Sequence, residues 1–235
     1  MFSLFQKKTR CSAVIVAAGS ARRMGGIDKI MASLGGKPVL WHTVQAFECN
    51  PEICEIVIVT REDLLTPVAD LCAEAGFQKV KMILSGGEDR LSSVQIGVSA
   101  VDKKSTLVAV HDGARPLVSQ SVITETVCRA AKTGAAAPAL PVKDTIKTAQ
   151  QGAVTSTPER KHLFAVQTPQ IFDADLLRAA LVNAAEKQLP VTDDCSCVEA
   201  IGMRVFLTAG EEKNLKITTP MDLKIAELFL KEEAQ

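Results

Sequence analysis

The 235-residue sequence has no tyrosine and one tryptophan, and aromatic residues make up only 4% of it. Stacking platforms for nucleic-acid bases need several aromatic faces, so a single-strand binder of that kind is excluded. Neither charge is in excess, since 27 lysines and arginines meet 27 aspartates and glutamates. That balance excludes a global basic field for nucleic acid or for an anionic membrane surface. No apolar run approaches the length of a membrane-crossing helix. The run at residues 11–18 has eight residues, too few for a secretion-signal core followed by a span. The seven cysteines, at 11, 49, 54, 72, 128, 195 and 197, are odd in number. They read as buried free thiols in a reducing cytoplasm rather than as a disulfide framework. Cys195 and Cys197 have no second cysteine pair or nearby histidine to complete a zinc site.

What the chain does have is the composition of a globular fold, 47% hydrophobic and 23% charged. A chain of this size buries about 70–75% of its unfolded surface and needs no staple. Short β-branched runs alternate with helical patterns. Strands are predicted at 12–18, 55–60, 80–84, 107–111, 135–140 and 204–207. Helices are predicted from Pro38 at the N1 position to 49, after Arg61 up to the stop at Gly76, at 90–101 and at 121–132. Further helices are predicted at 173–187, at 193–201 and after Thr219-Pro220. The last of these has Asp222 as the third residue of a capping box, and its apolar side is Met221, Ile225, Leu228 and Phe229. Continuous apolar strands separated by helices imply a three-layer α/β fold with a mostly parallel sheet. Ligands then sit beyond the carboxyl ends of the strands, at the loops after Ala18, Leu84 and His111. Residues 143–160 break the alternation and read as a β-hairpin arm turning at Gln151-Gly152. Lone hairpins are marginal in water, so this one is expected to pack against another surface, for which a second subunit is one candidate, the alternative being an ordinary mobile loop.

The loop Gly19-Ser20-Ala21-Arg22-Arg23-Met24-Gly25 is neither a dinucleotide fingerprint nor a Walker loop. Small residues and Arg22, Arg23 and Lys29 nevertheless supply the backbone donors and cations that a polyphosphate requires. Four bases and one acid fall in residues 19–37, whereas seven acids and one base fall in residues 48–77. The neutral total therefore conceals segregated charge.

Three further groups of residues extend the first loop's pattern. Ser85-Gly86-Gly87-Glu88-Asp89-Arg90-Leu91-Ser92-Ser93-Val94 follows the third strand, and His111-Asp112-Gly113-Ala114-Arg115-Pro116 closes the fourth. Downstream stand Lys143-Asp144-Thr145, Gln167-Thr168-Pro169-Gln170, Thr192-Asp193-Asp194 and Asn214-Leu215-Lys216-Ile217-Thr218. With Ala17-Ala18-Gly19, Arg23-Met24-Gly25 and Lys29, this series resembles the nucleotidyltransferase family with a Rossmann-like sheet. Within it, the series is most similar to the cytidylyltransferases that act on 2-C-methyl-D-erythritol 4-phosphate.

The resemblance implies one nucleotidyltransferase domain over residues 1–235, with 143–160 as the dimerisation arm. It implies that the substrate phosphate attacks the α-phosphate of CTP and releases pyrophosphate, with Mg²⁺ bound mainly through the CTP phosphates. Arg23, Lys29, Arg160 and Lys216 match the catalytic cations. Ala17, Ala18, Gly19 and Ser20 match the triphosphate cradle, and Gly86, Gly87, Glu88 and Ser93 the base-reading loop. Asp112, Arg115, Thr145 and Thr168 match the polyol-phosphate side, Asp112 also toward the metal or its water. Thr145 and Arg160 are expected from the partner's arm, which makes a homodimer the functional unit. His111 is expected to be structural, because the substrate phosphate is itself the nucleophile. Ala21, Asp28, Ile30, Gly113 and Cys195 depart from the family pattern, and Asp28 is expected to weaken the phosphate contact of Lys29. The rival readings are a ribitol-5-phosphate cytidylyltransferase and a nucleotide-binding protein without turnover. Lys143-Asp144-Thr145 and Thr192-Asp193-Asp194 favour the methylerythritol substrate over the first. The intact cations argue against the second.

Overall fold

The computed structural model describes residues 9–19 and 28–233. The central strand β1 (Cys11–Ala17) lies between β2 (Ile53–Thr60) and β4 (Leu107–Asp112), parallel to both. Strand β3 (Val80–Ser85) continues the sheet beyond β2 and forms one edge. On the other side, β9 (Gln170–Asp173) pairs antiparallel with both β4 and β5 (Ala135–Pro141). Strand β8 (Phe164–Val166) runs antiparallel to the far end of β5, and β10 (Phe206–Ala209) runs parallel to β5. The order β3-β2-β1-β4 reverses direction of growth between β1 and β4, which opens the crevice where ligands of such sheets sit. The fold is thus the mostly parallel, Rossmann-like α/β sheet that the alternation implied.

Period-2 alternation assigns each central strand to two cores. Ala13, Ile15, Ile56 and Ile58 face α1 (Val39–Glu48), α2 (Leu65–Ala75) and α4 (Gln120–Thr133). Val14, Val57 and Val59 face α3 (Arg90–Ala100), α5 (Ala174–Glu186) and α6 (Asp194–Glu199). Each fully buried Ile, Val or Phe here contributes about 1.5–3 kcal/mol of transfer free energy. Helix α2 stops at Gly76 and α4 at Gly134, both in the left-handed region, at φ 69° and φ 83°.

The arm forms as a separate two-stranded hairpin, β6 (Thr148–Gln150) with β7 (Ala153–Ser156), and its turn residues Gln151 and Gly152 have φ of 51° and 82°. Several expectations need correction. Pro38 is not the first helical residue of α1 but its N-cap, and it pairs with Ser33 in a short bridge. The late strand begins at Phe206 rather than Arg204. Strands β8 and β9 were not expected, because residues 164–173 contain a proline and show no clear alternation. In α7 (Pro220–Glu233) the capping box forms, with Thr219 N–H donating to Asp222 Oδ2 at 2.8 Å. Its buried side, however, is Ala226 with Leu223, Phe229 and Leu230. Met221, Ile225 and Leu228 are exposed instead.

Helix α3 lies against β1 and β2 through Gly97. A β-carbon there would fall 2.4 Å from Val14 Cγ1 and 2.9 Å from Val59 Cγ2. Alanine gains about 1 kcal/mol of helix propensity over glycine, but overpacking against two rigid strand valines costs about 1–3 kcal/mol. Gly97→Ala is expected to be less stable by about 1 kcal/mol in urea unfolding, with an unchanged m-value. A more stable variant would show that α3 does not seat on the valines this closely.

Candidate functional site

The carboxyl ends of β1, β3 and β4 meet at a cleft of about 460 Å³. Three loops wall it. Ala17, Ala18 and Gly19 leave β1, Gly87 to Arg90 leave β3, and Asp112 and Ala114 leave β4, while Lys29 and Lys216 complete it. The loops interlock through their backbones. Gly113 N–H donates to Val16 O at 2.8 Å, and Gly86 N–H donates to Thr60 O at 2.7 Å. A β-carbon on Gly86 would fall 2.5 Å from Ala18 Cβ, so a side chain there would push the first and second loops apart.

The second loop is held by hydroxyls. Ser93 Oγ donates to Asp89 O at 2.8 Å and accepts Gly87 N–H at 3.1 Å. Asp89 caps α3, accepting Ser92 N–H at 2.7 Å on its side chain and donating its own N–H to Ser92 Oγ at 3.1 Å, a capping box. The loop backbone at Gly87 is thereby held beside the cleft.

Asp112 forms the floor. Only 7% of it is exposed. Its Oδ2 meets Lys216 Nζ at 3.0 Å and Arg115 Nε at 3.3 Å. Burial alone would raise its pKa, but Lys216, Arg115 and Arg90 outweigh that and hold it at about 2. Arg115 also donates from Nη1 to Asn214 O at 2.7 Å, tying the β4 loop to the segment that carries Lys216. The fully buried Asn214 side chain donates to Thr168 O at 2.9 Å and to Gln167 Oε1 at 3.2 Å.

His111 is fully buried behind the cleft, against Phe47. Its Nε2 lies 3.2 Å from Arg115 O and its Nδ1 lies 3.0 Å from Thr168 Oγ1. Burial lowers its pKa to about 4, with Arg115 and Lys216 adding to the effect against Asp112. It is a neutral structural residue.

Of the residues singled out in the sequence, Ala17, Ala18, Gly19, Lys29, Gly87, Glu88, Ser93, Asp112 and Lys216 line one cleft. Gly86 and Arg115 support its walls. Ser20, Arg23 and the departure Ala21 lie outside the described residues. Thr168 is 4% exposed, and its hydroxyl is engaged by His111 and by Asp112 N–H at 3.1 Å, so it braces the site from behind. Thr145 and Arg160 do not line the cleft of their own chain. Both are exposed, and Arg160 donates to Lys143 O at 2.8 Å.

Arg90 is among the cleft residues that had no assigned role in the sequence. It donates to both oxygens of Asp194, at 2.8 and 2.6 Å. Burial pushes the Asp194 carboxyl up, and Arg90 opposes that shift and is itself held charged. Gln170 Oε1 accepts the N–H groups of Asp194 and Cys195, both at 3.0 Å. The neighbouring Asp193-Asp194 was visible as a motif, but 104 residues separate the paired side chains.

The model of the 2-C-methyl-D-erythritol 4-phosphate cytidylyltransferase family, IspD, matches residues 11–232. The chain belongs to that family. It is 44% identical over 227 residues to the cytidylyltransferase of that name from Caldanaerobacter subterraneus subsp. tengcongensis, covering 94% of this chain and 98% of the relative. It is 44% identical over 223 residues to the one from Dehalococcoides mccartyi, covering 94% and 96%. Among solved structures, the 4-diphosphocytidyl-2C-methyl-D-erythritol synthase of Anaerococcus prevotii superposes with a TM-score of 0.86 at 32% identity, over 95% of this chain and 97% of that one.

The His111 environment gives a stability prediction. Its folded pKa lies below the unfolded value of 6.5, so protons bind the unfolded chain first. The cost is absent above pH 6.5, grows as the pH falls toward about 4, and approaches about 3 kcal/mol there. In His111→Gln, which cannot titrate, the loss of unfolding free energy between pH 7 and pH 5 is expected to shrink relative to wild type. An unchanged pH dependence would show that His111 is not the group that protonates.

Proposed function

We propose that this chain transfers the cytidylyl group of CTP to 2-C-methyl-D-erythritol 4-phosphate, giving 4-diphosphocytidyl-2-C-methyl-D-erythritol and pyrophosphate. The observation that carries the proposal is Asp112 held ionised beside Lys216 and Arg115 in a cleft that Lys29, Gly87 and Glu88 also line. One anion in such a site keeps its cations aligned without neutralising them all, which suits the meeting of two phosphorylated substrates.

In this reading an oxygen of the substrate phosphate attacks the α-phosphorus of CTP. The new P–O bond forms opposite the bond to the β-phosphate, which breaks and releases pyrophosphate. Lys29 and Arg23 stabilise charge on the α-phosphate in the transition state. Ala17, Ala18, Gly19 and Ser20 cradle the triphosphate. Gly86, Gly87 and Glu88 offer the base backbone donors and acceptors, and Ser93 fixes that backbone. Lys216 holds the substrate phosphate from one side, oriented by Asp112, and Asp112 faces the polyol hydroxyls. Arg115 orders the loop on that side.

A divalent cation fits this donor set as a guest of the nucleotide. Among the described residues no group of three His, Cys, Asp or Glu side chains gathers to hold a metal, whereas Asp112 supplies one ionised carboxylate at the cleft floor. Mg²⁺ bound mainly through CTP phosphates, with Asp112 touching it or its water, would neutralise phosphate charge.

We read the chain as one nucleotidyltransferase domain whose arm, residues 143–160, reaches a second copy. Ile146, Val154, Phe164 and Val166 are exposed on the arm and beside it, an apolar surface that a neighbour would cover. The homodimer then brings Arg160 and Thr145 to the substrate phosphate of the neighbouring cleft. A cytoplasmic location fits four buried free cysteines and the absence, among the described residues, of a helix long and apolar enough to cross a membrane.

Purified chain with CTP, Mg²⁺ and either methylerythritol phosphate or ribitol phosphate, followed by pyrophosphate release, tests the substrate. Faster turnover of ribitol phosphate would overturn the assignment, and turnover of neither would leave a nucleotide binder. Lys29→Ala is expected to lower kcat by about 10²-fold or more with CTP still bound, a loss of about 3 kcal/mol of transition-state stabilisation. Undiminished turnover would remove Lys29 from the reaction. Mixing Arg160→Ala with Lys29→Ala subunits is expected to restore activity in heterodimers. Absence of rescue would place Arg160 at its own chain's cleft.

A further inference from the structure

The acidic stretch of residues 48–77 contains one base, Arg61, and the basic stretch of residues 19–37 contains one acid, Asp28. The fold joins these two. Arg61 follows the last residue of β2 and places Nη1 2.5 Å from Asp28 Oδ2. Its Nε and Nη2 donate to the two oxygens of Asp63, each at 2.9 Å. Asp63 thus fixes one edge of the planar guanidinium and leaves Nη1 aimed at Asp28. Both carboxylates favour the charged form of Arg61. The paired side chains of Arg61 and Asp28 are only 28% and 19% exposed.

The second oxygen of Asp28 has its own partner. Oδ1 accepts the N–H of Ile30 at 3.0 Å, a turn that spans Lys29. Ile30 is buried, and its carbonyl accepts Leu40 N–H at 2.9 Å. Lys29 is therefore carried between two pinned residues. Its Nζ lies 3.6 Å from where a β-carbon on Gly19 would be, at the mouth of the phosphate cradle.

We propose that Arg61 is a positioning residue for the transfer reaction, engaging the Asp28 carboxylate so that this charge stays turned away from the Lys29 ammonium. The inference rests on Lys29 acting at the α-phosphate. It also accounts for an acidic residue standing next to that lysine, since the carboxylate is matched by a cation from the neighbouring strand end.

A kinetic cycle tests it. Arg61→Ala is expected to lower kcat about 10-fold while the KM for CTP changes less than about 3-fold, because alignment at the reacting phosphate is lost rather than nucleotide binding. Asp28→Asn keeps an oxygen for the Ile30 N–H but carries no charge. Placed in the Arg61→Ala background, it is expected to return kcat to within about 3-fold of wild type. A merely structural Arg61 would give no such rescue, so a double variant as slow as Arg61→Ala overturns the proposal, as does an Arg61→Ala enzyme with wild-type kcat. If Arg61→Ala does not fold, Arg61→Gln, which keeps donors without charge, enters the same cycle with the same expectations. Lys29→Ala run in parallel separates the two levels. If it leaves turnover intact, the assignment of Lys29 fails; if it abolishes turnover while the Arg61 cycle is flat, only the role of Arg61 fails.

Discussion

A carboxylate kept ionised where water hardly reaches it organises this site. Asp112 is almost fully buried, and a buried carboxylate left alone would bind a proton. Lys216 and Arg115 prevent that, and in doing so each acquires a fixed position. Arg115 then reaches the Asn214 carbonyl, and the Asn214 side chain reaches Thr168 and Gln167. The segment carrying Lys216 is thereby fastened to β4, to β5 through Gln167 N–H on Pro138 O, and to the β8–β9 connection. Exchange of Asp112 for a neutral residue would release two cations at once. Breaking a pair of this kind from one side costs several times more than such a pair contributes net, because it strands the partner.

The charge balance of the whole chain acquires meaning from such pairings. A formal total of zero describes neither the cleft nor the surface around β2. The basic first stretch and the acidic stretch of residues 48–77 are joined by the pair Arg61–Asp28, in which each segment contributes its one residue of minority sign. On the opposite wall Arg90 bridges to the buried Asp194, so the loop after β3 is anchored to α6 by two short charge-assisted bonds. Both arginines stand immediately after sheet elements or at a helix start, where the backbone already fixes their direction.

Much of the architecture was legible in residues 11–17, 53–60 and 107–112, because a continuous β-branched run long enough for a strand and too short for a helix has few alternatives. The hairpin was legible at Gln151-Gly152, since its turn demands positive φ. The cleft-lining residues that leave β1 and β3 were legible because they lie close together in sequence. Strand β9 was not, since its antiparallel insertion between β4 and β5 depends on partners far along the chain. The buried side of α7 was misread for a related reason. Two apolar stripes share that helix, and only the packing of Leu34, Leu117 and Ile217 decides which turns inward. Arg90–Asp194 and Arg61–Asp28 are separated by 104 and 33 residues. No local pattern encodes such pairs, although an isolated base in an acidic stretch is a visible cue.

The neutral histidine fixes the direction of the hydrogen bonds behind the cleft. A carbonyl oxygen can only accept, so contact with Arg115 O places the proton of His111 on Nε2. Nδ1 is then an acceptor, and the Thr168 hydroxyl must donate to it. The lone pairs of that hydroxyl face the N–H of Asp112. Each donor in this sequence has one acceptor, and the hydroxyl proton of Thr168 is committed inward. Thr168 therefore meets the cleft through the backbone of Asp112. A protonated imidazole would reverse the hydrogen bond at Nδ1 and set a third positive charge beside Arg115 and Lys216. Burial that keeps His111 neutral keeps that third charge out of the cleft floor, which links the depth of the core at Phe47 to the charge of the cleft.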